Sequence, residues 1–146
     1  MKTDAAGAVV HILVVDDHEP FRQFVCTTLG RQPNLQVIGE VQDGLDAVEQ
    51  AEALQPDLIL LDIGLPRLNG IEAARRIRRL APRARIIFLT QESSSDVVRE
   101  AFISGASAYV TKMLAGKDLL AAVEMVMQGK QFVSSGLDGH VDPRRA

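Results

Sequence analysis

Cys26 is the only cysteine in the chain, so no internal disulfide can form, and no Cys/His cluster has the spacing of a zinc site. A reducing, cytoplasmic setting is the expectation. Long apolar runs are missing as well: none approaches the roughly 18 residues of a membrane helix. The N-terminal "MKTDAAGAVVHILVVDD" pairs a lysine with an apolar stretch, but Asp4 and His11 interrupt it and Asp16 and Asp17 close it, against a signal peptide. No excess of one charge is present. The formal net charge is −3 and 47% of residues are hydrophobic, which gives no electrostatic basis for direct nucleic-acid or membrane binding. At 146 residues, with no internal repeat, the chain fits one domain with a real core.

What is present is a regular alternation. Apolar, β-branched runs at 11–16, 35–41, 57–62, 85–90 and 107–111 read as strands. Helical spacing fills 18–30, 43–54, 70–80, 95–105 and 117–128. Near-continuous hydrophobic strands imply a parallel sheet covered on both faces, hence a doubly wound α/β fold. The Gly-rich, polar stretch from Ser134 to Ala146 shows no apolar periodicity and reads as a tail or linker.

In such sheets ligands sit at the carboxyl ends of the strands, near the point where the winding reverses. There the chain places Asp16 and Asp17 after strand one, Asp62 after strand three, Thr90 after strand four, and Thr111 and Lys112 after strand five. Three carboxylates on one rim repel one another unless a cation neutralises them, and Mg2+, a hard ion that takes few carboxylates and keeps its waters, suits them. Lys112 can pair with Asp62 or with a phosphoryl oxygen, and the Thr90 hydroxyl can donate to another. The set suits phosphoryl transfer onto a carboxylate.

"VVDDHEPFR", "LILLDIGLPRLNGIEAARRIR", "IIFLT" and "GASAYVTK", in that order, resemble the receiver domain of two-component response regulators, over residues 9–133. "GASAYVTKMLAGKDLLAAVEMVMQGKQFVS" looks like the receivers of LuxR/NarL-type DNA-binding regulators. The resemblance implies a flavodoxin-like (βα)5 fold with a five-stranded sheet in the order 2-1-3-4-5. It makes Asp62 the phosphoacceptor, and has Asp16, Asp17, Asp62 and the backbone carbonyl of Gly64 hold Mg2+. Thr90 and Tyr109 become the switch pair, with Lys112 on the phosphoryl group. A sensor histidine kinase is the implied donor, with a homodimer and a DNA-binding output domain outside this chain as further partners. The implied role is regulatory, with no catalysis beyond the chain's own Mg2+-dependent phosphorylation and dephosphorylation.

Plainer readings stand beside these. Asp17 suits a helix N-cap, Lys112 a solvated surface, and Tyr109 simple packing in an edge strand. Arg75, Arg76, Arg78 and Arg79 read as a solvated helix face opposite Ile71, Ala74, Ile77 and Leu80. Met113, Met125 and Met127 read as core or groove fillers, and Cys26 as a small buried hydrophobe. His11, His18 and His140 lack ligand spacing. Receivers usually carry a small residue after the switch threonine and a cis proline after the lysine; here Gln91, then Glu92, and Met113 stand there, and the isomer of the Lys112–Met113 bond is open. A phosphorylation-independent interaction module is the alternative function. A haloacid-dehalogenase-like phosphatase is disfavoured because its Asp-x-Asp follows strand one. A flavin or nucleotide binder is disfavoured because "DDHEP" would repel phosphate.

Overall fold

The computed structural model describes residues 8–135. Twelve elements follow in order: β1 (Val10–Val15), α1 (Glu19–Gly30), β2 (Leu35–Val41), α2 (Gly44–Leu54), β3 (Leu58–Leu61), α3 (Gly70–Leu80), β4 (Arg85–Thr90), α4 (Ser95–Ile103), β5 (Ala108–Thr111), a 3-10 turn (Lys112–Leu114), α5 (Ala115–Met127) and β6 (Phe132–Val133). The sheet is parallel, ordered β2-β1-β3-β4-β5-β6. The expected order of five holds. A sixth strand, only two residues long, lies outside β5, so β5 is not an edge.

Period-two alternation divides each inner strand between two cores. Leu13, Val15, Ile59, Leu61, Phe88 and Tyr109 pack against α2, α3 and α4. Ile12, Val14, Leu58, Leu60, Leu89 and Val110 pack against α1 and α5. Both faces are apolar, so the strands read as unbroken hydrophobic runs. The sheet is wound in both directions from its middle. β2 lies on one side of β1 and β3 on the other, so the crevice opens where β1 and β3 end.

Several plainer expectations change here. Leu80, at the last position of α3, is exposed, and Ala81 is buried in its place where the chain turns. Met113 is 92% exposed because it rides on the outer side of the 3-10 turn rather than on a packed helix face. Cys26 is only part-buried, against the α1/α5 core, and burial together with the nearby Glu40 carboxylate pushes its thiol up to about 11. The arginines of α3 form a surface network in which Arg75 pairs with Glu72 and Glu100, and Arg76 with Glu72. His140 lies outside the described residues. No helix among the described residues is long and apolar enough to cross a membrane.

Candidate functional site

The register of β1 and β3 builds the centre of the site. Val15 lies beside Leu61, and the Asp62 amide donates to the Val15 carbonyl at 3.1 Å, so Asp16 and Asp62 emerge side by side from adjacent strands. α1 starts at Glu19 with His18 in the N-cap position and no side-chain cap, so Asp17 does not cap it. The Asp16 carboxylate instead accepts from the His18 amide at 2.9 Å, which turns the chain and leaves Asp17 exposed at the rim. Carboxylate oxygens of Asp16, Asp17 and Asp62 lie within 4.8 Å of one another.

Asp62 sits just past β3, its Oδ1 accepting from the Ile63 amide at 2.7 Å. The loop after it must double back tightly. The Gly70 amide donates to the Ile63 carbonyl at 2.8 Å, and a Cβ at Gly70 would run into the Asp62 carbonyl oxygen, so only glycine lets α3 start so close to the acid. Gly64 is different: a Cβ there would meet nothing within 4 Å.

Lys112 closes the far side. Its Nζ lies 2.9 Å from Asp16 Oδ2 and 3.0 Å from Asp62 Oδ2, and 4.7 Å from the centre of the Phe21 ring. Burial pulls the lysine pKa down, but the hydrogen bonds and charges of the two aspartates outweigh it and leave it raised, so Lys112 is cationic at neutral pH. Burial raises the pKa of Asp16 despite the His18 amide and Lys112, which favour its charged form. No peptide bond among the described residues is cis, so the bond from Lys112 to Met113 is trans.

Thr90 ends β4 beside Thr111 of β5 and is buried, its hydroxyl oxygen accepting from the Glu92 amide at 3.4 Å. Tyr109 is fully buried between Phe88 and the rim, and its hydroxyl donates to the Glu92 carbonyl at 2.7 Å. Burial, with the charges of Glu92 and Asp62, pushes that phenol well above its ordinary pKa, so it stays a donor. A cavity of about 260 Å³ opens over this set, lined by Asp17, His18, Asp62, Gly64, Thr90, Gln91, Glu92 and Lys112. Each of Asp16, Asp17, Asp62, Thr90 and Lys112 therefore lies at one rim. Gln91 lines the cavity, as its place after Thr90 suggests.

The donor set fits a magnesium ion. Three hard carboxylates converge at a solvent-open rim, two of their oxygens are already shared with a cation, and no soft ligand competes. Such a charge-rich cavity can bind a divalent cation and a phosphoryl group together.

A family model for the response regulator receiver domain matches residues 12–124, which contain every residue of this rim. The chain belongs to that family. Among curated relatives of the receiver, the transcriptional regulatory protein DegU of Brevibacillus brevis is 34% identical over 124 residues, 85% of this chain and 52% of that protein. The DNA-binding transcriptional activator DevR/DosR of Mycobacterium tuberculosis is 35% identical over 127 residues, 87% of this chain and 58% of that protein. The receiver thus spans a little over half the length of these relatives. A solved structure of a LuxR-family two-component response regulator from Aurantimonas superposes with a TM-score of 0.87 at 32% identity, covering 94% of this chain and 99% of that one. These similarities place the receiver beside those of LuxR/NarL-type regulators and confirm the flavodoxin-like fold.

Two features of the site escaped sequence reasoning. Arg22 is buried beneath the Asp16 turn, where a helix arginine normally reads as solvated. Ser134, at the start of the stretch read as a tail, is fully buried: its amide donates to the Tyr109 carbonyl at 2.9 Å, and its hydroxyl donates to Asp118 Oδ2 at 2.8 Å and accepts from the Thr111 amide at 3.2 Å. Residues 136–146 of that stretch lie outside the described residues.

Proposed function

We propose that this receiver is a phosphorylation-controlled switch of the cytoplasm. Asp62 takes a phosphoryl group from the phosphohistidine of a partner sensor kinase: the carboxylate oxygen bonds to phosphorus, the phosphorus–nitrogen bond breaks, and the electron pair leaves with the imidazole. One observation supports this above the others, the Lys112 ammonium held at 3.0 Å from Asp62 at the mouth of an acidic cavity. Asp16, Asp17, Asp62 and the Gly64 carbonyl would hold Mg2+, which neutralises charge on the transferring group. Lys112 shares that charge as a point cation. Thr90 then donates its hydroxyl to a phosphoryl oxygen, and with Tyr109 it biases the face of α4, β5 and α5 towards a state that an output partner, a DNA-binding domain or a second copy can read.

Incubation with acetyl phosphate and Mg2+ is expected to yield a single phosphoryl adduct by intact-protein mass spectrometry. The adduct should disappear in Asp62→Asn and on chelation of the metal. An adduct that survives Asp62→Asn refutes the assignment of the acceptor.

A second reading, a module that binds its partner without phosphorylation, draws on Gln91, whose side chain lines the cavity where receivers usually keep a small residue. It predicts partner affinity that Asp62→Asn leaves unchanged.

A further inference from the structure

The carboxylate of Asp17 is exposed and makes no hydrogen bond or ion pair among the described residues, so its position depends on its backbone. That backbone is held from outside the turn. The carbonyl of Asp16 belongs to the planar peptide that joins the two acids, and it accepts from Arg22 Nη1 at 2.9 Å. On the other side of Asp16, its amide donates to the Val41 carbonyl at 3.1 Å. Arg22 Nε in turn donates to Glu40 Oε1 at 3.1 Å, on the same strand β2. Both peptide planes of Asp16 are thereby referred to β2.

The Arg22 side chain is 10% exposed, as buried as that of Lys112. A guanidinium cannot escape burial by losing its proton, so burial is tolerated only where its donors are satisfied in a fixed geometry. One of its bonds holds the turn carrying Asp16 and Asp17, and the other ties the guanidinium to β2. Helix α1 itself would be served equally by a solvated arginine at this position.

We propose that Arg22 is a positioning residue for the divalent-cation site: by bridging the Asp16 carbonyl to Glu40, it fixes the peptide from which Asp17 projects and so sets the spacing of the acidic pair. This inference rests on the reading that Asp16, Asp17 and Asp62 hold Mg2+, and it assigns the support on which that binding depends. Groups that orient metal ligands without touching the metal commonly change affinity by about 10–100-fold when removed.

The sign of the effect separates placement from charge. Removing a cation bonded to the Asp16 carbonyl would, by Coulomb's law alone, tighten the binding of a second cation at the neighbouring carboxylates. Loss of placement weakens it. The full chain is titrated with Mg2+ alone by isothermal calorimetry, with circular dichroism and thermal melts reporting on the fold. Arg22→Met, which keeps the aliphatic stem and removes the donors, is expected to raise the Mg2+ Kd about tenfold or more. Arg22→Lys keeps the charge but cannot bridge both oxygens, and is expected to recover only part of the loss. A Kd for Arg22→Met equal to or tighter than wild type, or full recovery by Arg22→Lys, overturns the proposal. Should Arg22→Met fail to fold, Arg22→Lys and Glu40→Gln decide: weakened binding in Arg22→Lys supports the bridge, and wild-type Kd values in both overturn it. Wild-type protein with no Mg2+ binding that Asp17→Asn abolishes would instead refute the underlying reading of the metal site.

Discussion

Asp43 holds two elements with one carboxylate. Its Oδ1 accepts from the Asp46 amide at 2.9 Å and caps α2, while its Oδ2 accepts from Arg67 Nη1 at 3.0 Å, fixing the loop that follows Asp62. Arg67 occupies the left-handed region, with φ of 68°, and the pair helps to hold it there. The Asp46 amide, then Arg67, keep the Asp43 carboxyl below its ordinary value of 3.8. A depressed folded pKa contributes stability that is present above the unfolded value and is lost as pH falls through the folded one. Asp43→Ala is expected to lower unfolding stability at neutral pH by about 1 kcal/mol, the usual cost of a lost cap. Asp43→Asn retains a cap acceptor without the charge. Its stability deficit relative to wild type, followed by urea denaturation, should shrink as pH drops below 3.8. At this scale the residues of the rim were legible because each stands at or directly after the end of an apolar run. Arg22 was not, because its two acceptors belong to a turn and to a strand that only the fold brings beneath α1.

Strand β6 belongs to the next scale. Phe132 pairs with Ala108 and Val133 with Tyr109, which adds a parallel edge to the sheet. Two residues are too few to give a period, and a Gly/Ser-rich sequence follows, so neither β6 nor the buried Ser134 could be read in advance. Ser134 closes the strap by linking Asp118 on α5 to the Thr111 amide at the end of β5. Ser134→Ala leaves the buried Asp118 carboxylate and the part-buried Thr111 amide each short of a partner. The expected cost is about 1–3 kcal/mol in chemical denaturation. Faster hydrogen exchange at the Thr111 and residue-134 amides, with little change in β1 or β3, should accompany it. The helices were read more successfully: the helical spacings at 43–54, 70–80 and 95–105 match α2, α3 and α4 to within two residues at each end. α5 differs because the 3-10 turn carrying Lys112 runs directly into it at Ala115.

For the whole molecule, the alternation of strand and helix and the unbroken apolar strands foretold a doubly wound parallel sheet, the family resemblance supplied the strand order, and that order puts the rim at the reversal between β1 and β3. Stability and function meet there. Three acids brought together at neutral pH store repulsion that Lys112 offsets for Asp16 and Asp62, while exposed Asp17 has no such partner among the described residues. Bound Mg2+ should therefore stabilise the entire fold. At about a hundredfold excess over Kd the expected gain is about 2.7 kcal/mol, measured as a rise in unfolding midpoint. Asp17→Asn should abolish most of that rise while leaving the metal-free midpoint at or slightly above that of wild type, because exposed Asp17 makes no bond among the described residues that would be lost and its charge no longer repels its two neighbours. A metal-independent midpoint in the wild type would contradict it.

The strap at Ser134 also has a mechanical meaning. A pull on the chain beyond Ser135 is carried first by the Ser134 bonds and the β6 pairs, and only then by α5. The load enters the sheet along β5, the strand that carries Tyr109 and leads into Lys112. The strap works as the clamp on a cable works: it shields α5 from the load, yet passes a tug on to the strand that ends beside Asp62 and Lys112.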